Sequence, residues 1–277
     1  MFRGRSRAGG SRVWSTAAAL ALAAWFLAPL AWVVIASFQP TRDFAATTKR
    51  FIPENWTFEN YGLVGSQLTP LLTTLLIATL SAALALAVGI PAAYALSSFR
   101  WRWAALAGFF ILITQVVPTG LVLTPLFLLF SELRLVNTVG GVVLGVSTIA
   151  IPFTVLVLTP FMADLPGELR EAAMIDGAGE WRTLVSVIVP ASRTAIIAAG
   201  LFSFLFGWGD FLWSLTLNTS GRVIPLSVSI HQFIGAYTVQ WGAIMAAAAI
   251  ALIPAIVLLV GAQRYIALGL TGGAVKE

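Results

Sequence analysis

The sequence contains no cysteine and only one histidine, His231. The absence of cysteine excludes disulfides, thiol nucleophiles and thiolate metal sites, and a single histidine excludes a metal site built from several imidazoles of this chain. Charged residues are also scarce, at 10% of the chain, whereas a soluble domain usually carries about 25%. With so few charges most of the surface must be apolar, which a lipid bilayer accommodates and water does not. The composition therefore predicts an integral membrane protein.

The residues that are abundant agree with a membrane location. Hydrophobic residues make up 59% of the chain, with 10 Trp and 18 Phe, as expected for interfacial belts and lipid-facing packing. The net charge of +5 does not indicate a nucleic-acid partner, because the Lys and Arg residues lie beside apolar runs and form no basic stretch of their own.

Six runs in the sequence are long and apolar enough to cross a bilayer, which takes about 20 residues as a helix. They predict an all-α integral membrane fold with six transmembrane helices, at about 15–37, 70–97, 104–131, 139–163, 192–216 and 241–262. The second and third runs are long enough to tilt or kink. Pro91, Pro118 and Pro125 lie inside them, and proline removes a backbone donor and bends a helix.

The first run has a second interpretation as a signal peptide, because four arginines precede it. It is longer than the usual apolar core of such peptides, about 7–15 residues, and no small-x-small cleavage site closes it. A membrane helix is the favoured interpretation.

The basic residues set the orientation. With the N-terminus inside, 11 of the 16 Lys and Arg residues fall on the inner side and 5 on the outer side, so the positive-inside rule places both termini in the cytoplasm. The predicted organisation is a cytoplasmic segment 1–14, one membrane domain 15–262 with an inside loop 164–191, and a cytoplasmic tail 263–277. Outside loops are expected at about 38–69 and 217–240.

The inside loop predicts two short helices joined at a glycine. Pro166 suits the first turn of a helix, and Glu171 lies toward the helix N-terminus, where negative charge is favourable. Gly177 is a typical helix terminator. A second short helix is expected at about 180–190.

This loop resembles the EAA loop of ABC importer permeases. It contains Glu171-Ala172-Ala173, then Gly177, then the segment 187–190, Val-Ile-Val-Pro. Two valines in the last segment stand where isoleucine and leucine are commoner in that family. The resemblance implies a type I importer permease fold, in which this loop is a coupling helix that docks into a cleft on an ATPase subunit. The expected docking residues are Glu171, Ala172, Ala173, Asp176 and Gly177; the alternative is an amphipathic loop on the membrane surface.

Three other segments are similar to permeases of the maltose type. They are Asn55–Tyr61, Phe206–Leu212 and the tail Gln263–Lys276, and Gly209 in the second stands where asparagine is usual. The resemblance implies a bacterial inner-membrane subunit with no cofactor and no chemistry of its own. The implied partners are a second permease in a heterodimer, an ATPase dimer that binds ATP and Mg, an extracytoplasmic solute-binding protein, and a sugar or oligosaccharide.

Polar residues within the predicted spans are the candidates for a substrate pathway. Asp210 is an acid inside the fifth span, where a charge is expensive and often functional. Trp208 and Trp213 flank it, so a carboxylate for sugar hydroxyls could lie beside indole faces for a pyranose; the alternative is a helix brace beside an aromatic belt. Gln115 in the third span is a candidate pore residue or an interhelical hydrogen-bonding group.

Two other classes of protein fit less well. A stand-alone secondary transporter normally needs intramembrane ligands for a coupling ion or proton, and an intramembrane enzyme needs a nucleophile with a base, or metal ligands. The favoured function is a permease subunit of an ATP-driven sugar importer. Similar permeases carry glycerophosphodiesters and polyols, so the sequence leaves the substrate open.

Overall fold

The structure is a computed structural model that describes residues 8–45, 51–98, 103–235 and 239–272. Its regular elements in these ranges are helices, with an isolated antiparallel bridge between Ile234 and Val239. This confirms the predicted all-α fold. The predictions for residues 1–7 and 273–277 lie outside the described ranges.

Thirteen α-helices are present in the described part of the chain, together with two 3-10 segments (Thr41–Ala45 and Gly65–Gln67) and one π-helical segment (Leu184–Ile188). The α-helices are α1 (Ala8–Ser37), α2 (Glu59–Leu63), α3 (Leu68–Ser98), α4 (Ala104–Val116), α5 (Thr119–Glu132), α6 (Val139–Ala163), α7 (Gly167–Ile175), α8 (Glu180–Thr183), α9 (Val189–Ala191), α10 (Arg193–Trp208), α11 (Leu212–Thr216), α12 (Leu226–His231) and α13 (Trp241–Gly272).

Four of these helices, α1, α3, α6 and α13, are long and apolar enough to cross a membrane by themselves. Two bent pairs raise the number to six when each pair is taken as one span: α4 with α5, and the segment Glu180–Ala191 with α10. By length and composition the structure thus offers four to six membrane spans, against the six predicted from the sequence.

The third predicted span bends at Pro118. The helix axis turns by 98° between α4 and α5, and both Val117 and Pro118 have extended backbone. Proline lacks the amide hydrogen that would continue the helix, and its ring pushes the preceding residue out of the helical region. The expected kink is therefore present as a full break.

The fifth predicted span, 192–216, is not one continuous helix. α10 ends at Trp208, and residues 209–211 separate it from α11. The break has a local cause, because the carboxylate of Asp210 binds the free amides at the start of α11. On its other side α10 meets the segment Glu180–Ala191 at 85°. We take that segment as part of the inside loop.

The chain forms two compact units. The larger comprises Gln67–Ser229 and Ile253–Glu277, and its centre is the packing of α3, α6 and α10. Glycines allow close approach of these helices: a Cβ on Gly89 would lie 2.5 Å from Thr154 Cγ2, and one on Gly207 would lie 2.7 Å from Ala78 Cα. Neither helix pair could approach this closely with larger side chains at these positions.

The first part of the second outer segment, up to Ser229, belongs to the larger unit and packs within it. The amide of Leu226 in α12 donates to Thr74 Oγ1 in α3 at 2.7 Å, and the hydroxyl of Ser229 donates to Gln67 Oε1 at 2.5 Å. Leu226 and Ser229 are buried. What the sequence presents as a sizeable outside loop thus contains a packed helix.

The smaller unit comprises Met1–Ser66 and Ile230–Leu252. Its buried polar centre is Asn60, whose amide nitrogen donates to the carbonyls of Ser37 and Gln39 at 2.8 Å each. Gly242 lies so close to Asn60 that a side chain there would collide with the amide. Asn60 therefore fixes α2 to the end of α1.

Candidate functional site

Helix α7 of the inside loop ends in a Schellman motif at Gly177. The amide of Gly177 donates to the carbonyl of Met174 at 3.0 Å, and the amide of Ala178 donates to that of Ala173 at 2.9 Å. Gly177 has a φ of +79°, a left-handed conformation that glycine adopts without strain. Glycine is favoured here by the backbone angle and not by crowding, since the space around its Cα is open.

The residues predicted to dock an ATPase lie on two sides of α7. Glu171, Ala172, Asp176 and Gly177 are exposed, whereas Ala173 is buried against the rest of the loop. Ala173 is also the one buried residue of α7. The exposed set is available to a partner, and Ala173 has an internal packing role.

Two large apolar side chains of the loop also point into solvent. Ile175 is 86% exposed and Trp181 is 68% exposed. Sequence reasoning did not single them out, although an apolar residue between Met174 and Asp176 at a helix end is a visible signal. Outside a membrane such residues usually mark an interaction surface when they lie together.

The second half of the loop is anchored by apolar packing. Leu184 and Ile188 are buried in a cluster that includes Tyr94 of α3 with Leu158 and Met162 of α6. Between α8 and α9 the chain forms the π-helical segment, so the path from Glu180 to Ala191 stays helical throughout. This confirms the predicted second helix.

A polar cluster joins the two halves of the loop to the end of α3. Glu180 Oε1 accepts from Arg170 Nη2 at 2.5 Å, and Glu180 Oε2 accepts from Arg170 Nε at 3.3 Å and from the Tyr94 hydroxyl at 2.6 Å. Arg170 Nη1 also donates to the carbonyl of Ser98 at 3.4 Å. The hydrogen bonds from Arg170 and then from Tyr94 hold the pKa of Glu180 below its usual value. We call these groups the Arg170–Glu180–Tyr94 cluster.

The sequence alone did not reveal this cluster. Arg170 and Glu180 lie ten positions apart on either side of the glycine turn, and Tyr94 lies 86 positions before Glu180. Opposite charges flanking a helical hairpin were a signal for the ion pair, but nothing in the sequence pointed to Tyr94.

Asp210 has its carboxylate occupied by the start of α11. Oδ1 accepts from the amide of Trp213 at 3.3 Å, and Oδ2 accepts from the amide and hydroxyl of Ser214 at 2.8 and 2.7 Å. The backbone carbonyl of Asp210 accepts from Ser227 Oγ at 2.6 Å. This is helix-capping geometry, the alternative considered for this residue. Direct contact between Asp210 and a substrate stays a prediction.

The two tryptophans beside Asp210 have different surroundings. Trp213 is 1% exposed and packs against Phe130 and Gly145 in the core, so its ring face is covered by protein. Trp208 is half-buried and stacks on Phe204 with ring centroids 5.7 Å apart. Of the pair, only Trp208 retains a partly open surface.

Gln115 bridges two helices of the larger unit. Its Nε2 donates to the carbonyl of Ile149 in α6 at 3.4 Å, which is the interhelical contact considered for it. In the part of the chain that the structure describes, no three Asp, Glu or His side chains come close enough together to hold a metal ion.

The comparisons with known proteins identify the family. Residues 85–271 match the model of the binding-protein-dependent transport system inner membrane component. The chain belongs to this family. It is therefore a transport subunit and a multi-pass inner-membrane protein.

Individual permeases are similar over almost the whole chain. The trehalose transport system permease protein SugB of Mycobacterium tuberculosis is 32% identical over 257 residues, covering 90% of this chain and 92% of that protein. The trehalose/maltose transport system permease protein MalG of Thermococcus litoralis is 30% identical over 264 residues, covering 93% and 94%.

The fold is also that of a solved ABC importer. A chain in the crystal structure of a bacterial ABC transporter involved in the import of the acidic polysaccharide alginate superposes with a TM-score of 0.74 at 22% identity. The superposition covers 95% of this permease and 99% of that chain. It supports the predicted importer permease fold.

Proposed function

We propose that this permease is one of two membrane subunits of an ATP-driven, binding-protein-dependent importer for a sugar or oligosaccharide. The observation that carries the proposal is the family match, which includes the whole inside loop. The sugar class is supported by the relatives named for trehalose and maltose transport and by the alginate importer.

The exposed side chains of the inside loop support an ATPase as the docking partner. Ile175 at the end of α7 and Trp181 in α8 are exposed apolar side chains, and Glu171 and Asp176 are exposed acids of the same loop. The complementary surface is a cleft with an apolar floor and basic residues at its rim. In this proposal ATP and Mg bind to that partner, and the permease itself needs no cofactor.

A second permease would complete the translocation pathway. The apolar stretch Trp14–Ser37 of α1 has no buried residue in its most hydrophobic window, so lipid or a neighbouring subunit must cover it. The distribution of Lys and Arg supports cytoplasmic termini, and in this proposal an extracytoplasmic binding protein delivers the sugar from the opposite side.

The proposed transport cycle is alternating access. ATP binding closes the two ATPase subunits, which moves the docked α7 and turns the pathway toward the outside. The binding protein releases its sugar into the cavity, and hydrolysis with separation of the ATPases returns the pathway to the inside. The permease contributes the pathway and the mechanical link.

The test is purification of the tagged permease from its native membrane in mild detergent, with mass spectrometry of the co-purifying proteins. Wild type is compared with Gly177→Val and Gly177→Asn. Both variants have room for a side chain, but valine is strongly disfavoured at a φ of +79° whereas asparagine tolerates it.

We expect an ATPase and a second permease with wild type and with Gly177→Asn, and loss of the ATPase alone with Gly177→Val. Glu171→Ala should weaken ATPase recovery without affecting the second permease. Recovery of the permease alone, in equal yield for every variant, would contradict the importer proposal and favour a stand-alone transporter.

A further inference from the structure

The Arg170–Glu180–Tyr94 cluster connects the inside loop to helix α3. Arg170 lies on α7, Glu180 begins α8, and Tyr94 lies near the inner end of α3. Both carboxylate oxygens of Glu180 are used, one by Arg170 alone and the other by Arg170 and Tyr94 together. A carboxylate held by a two-pronged arginine and a hydroxyl has a fixed orientation.

The cluster matters because α7 has little other attachment. Ala173 is the one buried residue of that helix, whereas Leu184 and Ile188 anchor the following segment in an apolar cluster. Arg170 also reaches the carbonyl of Ser98, the last residue of α3. Polar contacts therefore contribute to the position of α7 relative to α3, beside the burial of Ala173.

We propose that this cluster makes α7 and the inner end of α3 move together, so that Arg170, Glu180 and Tyr94 are positioning residues that transmit the displacement of the docked loop to the membrane. The inference rests on the proposed function, because it takes α7 as the helix that an ATPase moves. α3 packs along both α6 and α10, and a shift of its inner end reaches the centre of the larger unit.

The burial of the three side chains determines how strongly the cluster holds α7 in position. The Arg170 and Glu180 side chains are 28% and 38% exposed, so water weakens their attraction, while Tyr94 is 4% exposed and fixed in the core. Partly exposed ion pairs change an equilibrium by about two- to fivefold. The cluster is strong enough to bias the position of α7 and weak enough to be tested without unfolding the protein.

Distances between spin labels test the link directly. The chain has no cysteine, so labels are attached at Ala95→Cys on α3 and Glu168→Cys on α7, both exposed positions. The full complex is measured in its nucleotide-free and ATP-bound states. We expect one narrow distance distribution that is the same in both states.

Glu180→Ala should broaden that distribution and make it differ between the two states. Glu180→Gln, which keeps one acceptor oxygen, should give an intermediate result. Arg182→Ala removes a charge from an exposed residue of the same short helix and should match wild type. A distribution in Glu180→Ala identical to wild type in both states would overturn the inference.

The transport readout is the ratio of ATPase activity with and without sugar-loaded binding protein. The ratio should fall about two- to fivefold in Glu180→Ala and less in Tyr94→Phe. Combining Arg170→Ala with Glu180→Ala should be no worse than the stronger single variant, because both remove the same contact. Additive losses, or an unchanged ratio in all variants, would contradict a shared positioning role.

If wild type itself does not respond to a binding protein, the proposed function fails, while the label distances still decide whether α7 and α3 move together.

Discussion

The close approach of α10 to α3 at Gly207 gives a prediction with a calculable size. A Cβ at this position would lie 2.7 Å from Ala78 Cα and 3.3 Å from Ala78 N and Cβ, whereas carbon atoms pack at about 3.5–4.0 Å. The nearest atoms belong to the backbone of α3, so no side-chain rotation can relieve the contact. Overpacking of this kind costs about 1–3 kcal/mol, against which alanine recovers roughly 0.5–1 kcal/mol of helix propensity.

Gly108 supplies the matched control. It lies within α4 and has no atom near the position of an added Cβ, so Gly108→Ala should express the propensity gain alone. The two variants should therefore differ by about 1–3 kcal/mol, which corresponds to an apparent Tm lower for Gly207→Ala by roughly 5 °C.

The assay is thermal unfolding of the purified protein in one detergent, followed by tryptophan fluorescence and by size-exclusion chromatography after heating. Both variants and wild type are heated at the same rate. If Gly207→Ala melts at or above the temperature of Gly108→Ala, the α3–α10 packing described here is wrong.

Substitutions at three further positions test other parts of the structure by the same melting assay and, for Asp210, by sugar uptake. Gly145→Ala should destabilise the protein by about 1–3 kcal/mol, because the new methyl group would collide with the buried ring of Trp213; an unchanged Tm would place that ring elsewhere. Asp210→Ala should cost about 1 kcal/mol through loss of the α11 cap, whereas Asp210→Asn keeps a capping oxygen and should melt near wild type. A near-native Tm for Asp210→Asn with strongly reduced uptake would favour substrate contact over capping alone. Asn60→Ala should cost about 1–3 kcal/mol, since it leaves two buried carbonyls unpaired; equal stability would refute its role as the polar centre of the smaller unit.

Hydropathy predicts the membrane helices well where one helix is one span. The run 139–163 has the same bounds as α6, and the run 70–97 differs from α3 by two residues at one end and one at the other, because length and apolarity are the properties that a bilayer selects. Hydropathy cannot detect a bend in a helix. Residues on both sides of Pro118 are equally apolar, so the run 104–131 looks continuous although its axis turns by 98°.

The role of Asp210 in the fifth predicted span could not be decided from the sequence either. An acid within an apolar run is compatible with substrate contact and with bracing of a helix, and the sequence left both interpretations open for Asp210. The structure supplies the amides that its carboxylate binds, which depend on where α10 ends. The burial of Trp213 could not be predicted either, because a helix that is apolar on all sides carries no pattern that marks its core face.

The inside loop was the most predictable part of the site. Gly177 as a helix terminator follows from the chemistry of glycine and is confirmed by its backbone angle. The burial of Ala173 and the hydrogen bond between Tyr94 and Glu180 could not be predicted from the sequence, since both depend on how the inside loop packs in the folded protein. Contacts between residues far apart in the chain require the packed fold.

The most direct test of the central claim is transport by the reconstituted complex. The tagged permease and its co-purifying subunits are placed in proteoliposomes with ATP inside, and radiolabelled trehalose or maltose is supplied outside with the cognate binding protein. We predict accumulation of sugar that requires both internal ATP and the binding protein, and that is lost in Gly177→Val. Accumulation driven by an ion gradient without ATP, and unchanged in Gly177→Val, would contradict the account.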